Sequence, residues 1–360
     1  MNAHQQRITS PSDPALSELC QQLSDLSPTL AEHGWPAKQL QLCGEYGVFE
    51  WFVSERGGGQ GWSEADVMRG YLALSQACLT TTFVITQRTG GCHRIEASEN
   101  RALVERMLPD LVRGTTMTTV GISHLTTSRQ HLSKPVLRAA RTDGGFVLDG
   151  FCPWVTGSTH ADTVVLGATM EDGQQILVVL PTDATGVEIP AATELVGLSA
   201  SQTGPVHCHQ VAVADELLLA GPASNIMKQG SGANTGGVQT SALANGLAAA
   251  AIGFLENEAQ KRKQLDLPAE SLRRECDALT ADVLSAAANR PTCSNEVLRT
   301  RANSLALRAS QAALAAAKGT GYVAGHPVGR WCCEALFFLV WSCPQPVMEA
   351  NLCELAGISQ

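Results

Sequence analysis

Trp154-Val155-Thr156 closes a strand-like run with an aromatic ring and, two residues on, a hydroxyl, followed by Gly157. At a strand end this pair can present a flat ring and a short hydrogen-bonding arm to a planar ligand. The bland alternative is a core tryptophan, since aromatic rings in strands are commonly buried. Asp143-Gly144-Gly145 precedes the run and reads as a hairpin turn, where glycine tolerates the positive φ that a tight turn demands. Further on, Ala161-Asp162 leads into the apolar Thr163-Val164-Val165-Leu166, then come Gly197-Leu198-Ser199-Ala200-Ser201-Gln202-Thr203 and Val206-His207-Cys208-His209-Gln210-Val211-Ala212-Val213.

The elements that must position these residues fall into three blocks. Apolar residues recur at helical spacing between Leu16 and Gly114, as in Leu16, Leu19, Cys20 and Leu23, and again in Met68, Tyr71, Leu72 and Leu74. Ser63 with Asp66 three positions on marks a helix start, and Glu55 to Gly61 before it reads as a loop. From Thr115 to about Ala220 the period changes to short β-branched strands, among them Val136 to Ala140, Ile176 to Leu180 and Val206 to Val213. Gly221 to Gly237 is rich in Gly, Ser, Asn and Pro. Helices are then expected over Gln239–Lys263, Leu272–Ala288, Glu296–Lys318 and Val328–Trp341, with Ala242, Ala244, Gly246, Ala249, Ala250 and Gly253 small enough for close helix approach. The predicted division is residues 1–114 helical, 115–220 a β-domain, 221–238 a linker and 239–360 a helical bundle.

Composition bounds the function. The 360 residues are 44% hydrophobic and 16% charged, values of a globular protein able to bury a large core. A formal net charge of −9 with no basic run argues against nucleic acid as a partner; Lys261-Arg262-Lys263 reads as the end of a helix. The polar N-terminus lacks the apolar core of a signal peptide. The longest apolar runs, Leu243 to Leu255 and Ala335 to Trp341, fall short of the ~20 residues of a membrane span. A cytoplasmic protein without a membrane partner is therefore expected. Twelve cysteines occur without a Cys-x-x-Cys, so reduced thiols are expected. His207 and His209 share one strand face, but no third ligand stands at metal-binding spacing, and no metal is expected.

The motif series resembles the middle β-domain of the acyl-CoA dehydrogenase superfamily, whose pattern runs G-x-x-L-x-G-x-x-x-W-[IV]-T-[NG], A-D, G-x-R-x-S-x-T and V-x-F-x-x-V-x-V. Gly57-Gly58-Gly59-Gln60-Gly61 resembles the family's early glycine loop, and Leu108-Pro109 with Gly114 its exit from the first domain, so the resemblance covers nearly the whole chain. It implies an α+β fold: an N-terminal helical domain, a middle β-barrel or sandwich and a C-terminal four-helix bundle. It also implies FAD between the β-domain and the bundle, a homodimer or homotetramer, and an electron-transfer partner.

Carried over residue by residue, the resemblance implies that Trp154 packs on the isoalloxazine, with Val155 beside it and Thr156 hydrogen-bonding near N5. Ser123-His124-Leu125 stands at the family's T-E-P; Ser123 keeps a hydroxyl for the pyrimidine edge, and His124 has no family counterpart. Thr82, Phe83, Thr86 and Gln87 fall on positions that line the acyl pocket. Gly319-Thr320-Gly321-Tyr322-Val323-Ala324 satisfies a dinucleotide-binding spacing, but a helical stretch precedes it where that motif needs a strand. By resemblance Gly319, Thr320 and Gly321 form instead an inter-helix turn that approaches a neighbouring subunit's FAD.

The family's chemistry is oxidation of a CH–CH bond in an acyl-CoA or acyl-thioester-like substrate, with a carboxylate removing a proton on the far side from the flavin. Cys333-Glu334-Ala335 matches the family's R-D-A, and counting from it the expected carboxylate falls on Ser342. The alternative family location holds Gln239. Glu349 is the fallback carboxylate. Ser199 replaces the arginine of G-x-R-x-S-x-T, Ala315 a glutamine before the G-x-G turn, and Arg262 or Lys263 stands in for the arginine that reaches the partner's pyrophosphate. The resemblance therefore implies a flavin oxidoreductase without its usual base. The alternatives are a flavin-dependent monooxygenase of the same superfamily, which does not need that glutamate, and a non-catalytic flavin-binding paralogue.

Overall fold

The computed structural model describes residues 7–30, 34–126, 135–228 and 237–358. Helices α1 (Pro14–Leu26), α2 (Ala37–Glu45), α3 (Glu64–Ala77), α4 (Leu79–Glu96) and α5 (Arg101–Arg113) build the first block. Caps fix their starts: the Ser63 hydroxyl accepts from the Asp66 amide, and the Asn100 side chain from the Leu103 amide. Gly114 ends α5 in the left-handed conformation at φ 74°, the usual glycine stop. The longest of the five, α4, is buried along most of its circumference, so it forms a wall shared between blocks.

Eight strands follow: β1 (Thr118–Gly121), β2 (Leu137–Thr142), β3 (Gly145–Val155), β4 (Thr163–Thr169), β5 (Gln175–Pro181), β6 (Val187–Glu188), β7 (Gly204–Ala214) and β8 (Leu218–Ala223). They form one sheet in the order β6-β7-β3-β2-β4-β5-β8, with β1 added parallel to β4. The Asp143-Gly144 turn, with Gly144 at φ 112°, joins β2 to β3 antiparallel. Alternating residues Phe146, Leu148, Val211 and Val213 face a common core of fully buried side chains. The expected β-block ended at residue 220, whereas β8 continues through Ala223 on β5.

The last block comprises α6 (Val238–Ala259), α7 (Asp266–Ala287), α8 (Asn295–Ala317), α9 (Pro327–Phe337) and α10 (Gln345–Leu355). Of the expected 221–238 connection, residues 229–236 lie outside the described residues. α6 is 22 residues long and apolar enough to cross a membrane, contrary to the count made from sequence, yet 72% of its apolar window is buried inside the protein. Its small residues let it sit close to α3. A Cβ on Gly246 would stand 2.7 Å from the Leu72 carbonyl oxygen and from the Ser75 Cβ, and the Ser75 hydroxyl donates to the Leu243 carbonyl at 2.7 Å. Gly253, by contrast, faces open space.

One expectation about this block changes. The last helix was expected to continue to Trp341, but α9 stops at Phe337 because later carbonyls are captured elsewhere. Arg299 donates to Phe338 at 3.2 Å and to Trp341 at 2.9 Å, and Asn303 donates to Phe338 at 3.0 Å. Pro344 and Pro346 then start α10, at positions where a proline lacking its N–H does no harm.

Candidate functional site

The three blocks meet around a cavity of about 550 Å³, within the range of small-molecule sites. One wall is a stripe of α4 at helical spacing: Phe83, Thr86, Gln87, Gly90 and Arg94. The β-domain contributes Val120, Ile122, Ser123, Trp154, Thr156 and Thr203, together with the loop Leu195 to Leu198. The bundle closes it with Gly237, Gln239 and Thr240 at the start of α6 and with Cys333, Leu336, Phe337 and Val340 to Ser342.

Trp154 reaches the cavity through an irregularity in its strand. The pairing of β3 with β7 shifts between Cys152 and Val155, and a bulge of this kind turns side chains away from the regular alternation. Trp154 is 46% exposed, an unusual state for so large an apolar ring, while Val155 is fully buried in the sheet core. Val155, named with its neighbours as a cofactor contact, thus supports the strand and does not line the cavity. Thr156 is held by a relay of hydroxyls: its Oγ1 shares a hydrogen bond of 2.9 Å with Thr203 Oγ1, which shares another of 2.8 Å with Ser201. The Thr156 carbonyl accepts from Thr119 at 2.8 Å, tying β3 to β1.

Opposite, Phe83 meets Trp341 edge-on with ring centroids 4.9 Å apart, and Trp341 stacks on Phe337 at 5.2 Å. These aromatics carry Ser342, whose φ of 44° places it in the left-handed region. Gly197 packs so closely on α9 that a Cβ there would stand 3.0 Å from the Cys333 carbonyl. That contact seats the 195–198 loop against the bundle.

Of the sequence-derived site residues, Ser123, Trp154, Thr156, Phe83, Thr86, Gln87, Gln239 and Ser342 come together at this cavity. Others do not. Thr82 is turned away, fully buried, and its hydroxyl donates to the Cys78 carbonyl at 2.8 Å. Glu349 lies exposed on α10 and accepts from Gln345 at 2.8 Å, because the helix begun at Pro346 carries it outward. Gly319, Thr320 and Gly321 form a tight turn after α8, outside the cavity of their own chain. The preceding element is a helix, so a strand-turn-helix dinucleotide site is absent there. Arg262, offered as a point charge, is engaged within the chain: it binds Glu258 at 2.5 Å and the Ala316 carbonyl at 2.6 Å. His124 is buried outside the cavity lining with one ring nitrogen 2.7 Å from the Gly167 carbonyl, and burial pushes its pKa down while that hydrogen bond pulls it up. Sequence reasoning missed Gly90 and Arg94, although both continue the spacing that marked Phe83 and Gln87.

No aspartate, glutamate or histidine lines the cavity among the described residues. Glu334, next in sequence to the cavity-lining Cys333, is a buried acid. Thr80 donates to its Oε1 at 3.1 Å and Arg330 lies 3.7 Å away.

No family model matches the chain. Among curated proteins it is similar to Probable acyl-CoA dehydrogenase YngJ of Bacillus subtilis (strain 168), 24% identical over 317 residues, which cover 82% of this chain and 83% of that one. The butyryl-CoA dehydrogenase structure from Megasphaera elsdenii superposes with a TM-score of 0.80 at 18% identity, covering 99% of this chain and 100% of that chain. This is the fold of the acyl-CoA dehydrogenase superfamily. The structure of KijD3 in complex with FMN and a dTDP-linked amino sugar shares it, with a TM-score of 0.73 and 18% identity over 98% of this chain and 96% of that chain. The superfamily fold thus accounts for the three-block order read from the sequence.

Proposed function

We propose that the protein is a flavin-dependent oxidoreductase whose cavity takes FAD and an acyl-CoA or acyl-thioester-like substrate. The observation that carries this reading is Trp154, a half-exposed indole delivered to the cavity by a strand bulge, with the Thr156 hydroxyl fixed beside it. That pair fits a planar ring with acceptor atoms along its edge. When bound, the flavin would supply a two-electron acceptor. Trp154, Thr156 and Ser123 would hold its ring, while Phe83, Thr86 and Gln87 orient the acyl part. The relatives support an oxidoreductase in general, and YngJ and butyryl-CoA dehydrogenase support the thioester class.

Ser342 and Gln239 can donate and accept hydrogen bonds but cannot hold a proton as a carboxylate does. A cavity wall without a carboxylate favours a second reading, a flavin-dependent monooxygenase of the same superfamily, in which no such base is needed. The deciding experiment is an absorption spectrum of the FAD-loaded protein, anaerobic, with and without a panel of acyl-CoAs. Flavin bleaching by a straight-chain acyl-CoA supports dehydrogenation. Oxygen consumption with a product hydroxylated at carbon or nitrogen, without anaerobic bleaching, supports the second reading. Protein that stays colourless after FAD titration leaves the non-catalytic reading.

We further propose a cytoplasmic homodimer or homotetramer served by a separate electron-transfer partner. Met348, Leu352 and Leu355 form an exposed apolar stripe on α10, which supports self-association. Sedimentation as a monomer at micromolar concentration would argue against it.

A further inference from the structure

Three arginines are buried among the described residues, and two have structural partners. Arg88 lies 3.9 Å from the centroid of the Phe49 ring and donates to the Leu111 carbonyl. Arg299 donates through Nε and Nη2 to Asn303 and to the turn before Ser342; its Nη1 has no partner, but it lies outside the cavity lining. Arg94 differs. It is 8% exposed, lines the cavity, and donates to the Gly90 carbonyl of its own helix at 2.7 Å. Among the described residues no carboxylate comes within ion-pair distance of it. Glu96, the acid nearest it in sequence, accepts instead from the Ser54 amide at 3.0 Å.

Gly90 is what brings this cation to the cavity. A Cβ at residue 90 would stand 3.4 Å from Arg94 Nη1 and 3.4 Å from Val120 Cγ1, so any larger side chain would cover the guanidinium. Arg94 lies one turn beyond Gly90 and about 16 Å along the helix axis from Phe83. It is outside the four helix positions supplied by the family resemblance. A guanidinium has five N–H donors, and a buried cation without a counter-ion is costly to maintain. Burial lowers its pKa to about 10, so it keeps its charge at neutral pH.

Resting on the reading of this cavity as the ligand site, we propose that Arg94 is an anion-recognition subsite, against which the bound state places a negatively charged or carbonyl oxygen. Two sources offer that chemistry: a carboxylate at the end of the substrate remote from Ser342, or the carbonyl-bearing edge of the flavin ring. Either would complete the donor set that the protein leaves open.

The test has two arms, each comparing wild type with Arg94→Gln and with Gly90→Val, which keeps the charge but covers it. In the first arm, FAD titration and sulfite titration of the loaded protein are followed by absorbance. In the second, equilibrium binding is measured for ligand pairs of equal length ending in a carboxylate or a methyl group, both as CoA thioesters and as simple esters. Loss of a charged hydrogen bond should weaken one arm by about 10- to 100-fold in both variants. A loss confined to the first arm assigns the acceptor to the flavin edge, and one confined to carboxylate-ended ligands assigns it to the substrate. Should only the simple esters bind, with their preference lost in the variants, the thioester reading fails while the subsite stands. If folded Arg94→Gln, or Gly90→Val where Arg94→Gln does not fold, matches wild type in both arms, the proposal is overturned.

Discussion

Thr80 and Glu334 stand 254 residues apart in sequence and are joined by a buried hydrogen bond of 3.1 Å, pinning α4 to α9 behind the cavity wall. Burial holds the Glu334 carboxyl above its ordinary pKa of 4.5, with Arg330 and Thr80 pulling the other way. A folded-state pKa above the unfolded one means that the folded chain keeps the proton more tightly. The stability contributed by Glu334 is then complete below the unfolded value and is lost as pH rises through the folded one. Glu334→Gln should flatten the fall in stability just above pH 4.5, read from urea midpoints across the acid-to-neutral range. A slope equal to that of wild type would show that the proton is not held.

Replacing Trp154 with Ala removes the exposed face of the indole and leaves the sheet core intact, since Val155 carries the burial. Flavin retention should weaken by up to about tenfold, the worth of ~0.5–1.5 kcal/mol for an aromatic pair beyond its area. FAD titration followed by fluorescence quenching checks this, with thermal unfolding as the control that the fold survives.

Ser342→Glu places a carboxylate where the cavity has none. General-base assistance is typically worth ~10²–10⁴ in rate, so anaerobic flavin reduction by acyl-CoA should be very slow in wild type and accelerate in the variant. Ser342 sits at positive φ on a turn whose carbonyls are held by Arg299 and Asn303, bonds that the substitution does not remove. Rapid reduction of the unmodified protein would disprove the missing base.

Gly246→Ala tests the close crossing of α3 and α6. The added methyl must push against backbone at 2.7 Å, an overpacking that commonly costs about 1–3 kcal/mol. Gly253→Ala should be neutral or slightly stabilising, because it faces open space and alanine is the better helix former. Thermal midpoints of the two variants should therefore move in opposite directions or differ by several degrees.

Much of this was legible because it lies in local spacing. The change of hydrophobic period near Thr115 and again near Gln239 marks the blocks, while Trp154 and Thr156 were singled out through the family resemblance and both line the cavity. What was not legible depends on register. Thr82 and Phe83 are adjacent, yet one turns to the Cys78 carbonyl and the other to the cavity, a choice set by how α4 is rotated between its neighbours. A helix buried on nearly every side has no polar stripe to give that rotation away. Arg94 was invisible for the same reason, since an arginine on such a helix reads as surface until Gly90 is seen to leave space over it. The fallback Glu349 lies outside the cavity lining because distance along the chain ignores the direction imposed by the helix that Pro346 begins.

The cavity draws its walls from segments as far apart as Phe83 and Ser342. Its last wall is therefore the last of them to be synthesised, and the cavity is complete only once Trp341 has docked on Phe83. A ligand then acts as a rivet through all three blocks. At about one hundred times its dissociation constant it adds roughly 2.7 kcal/mol to the stability of the whole chain. Without that ligand the same chain should lose that increment of stability in all three blocks at once, not only beside the cavity.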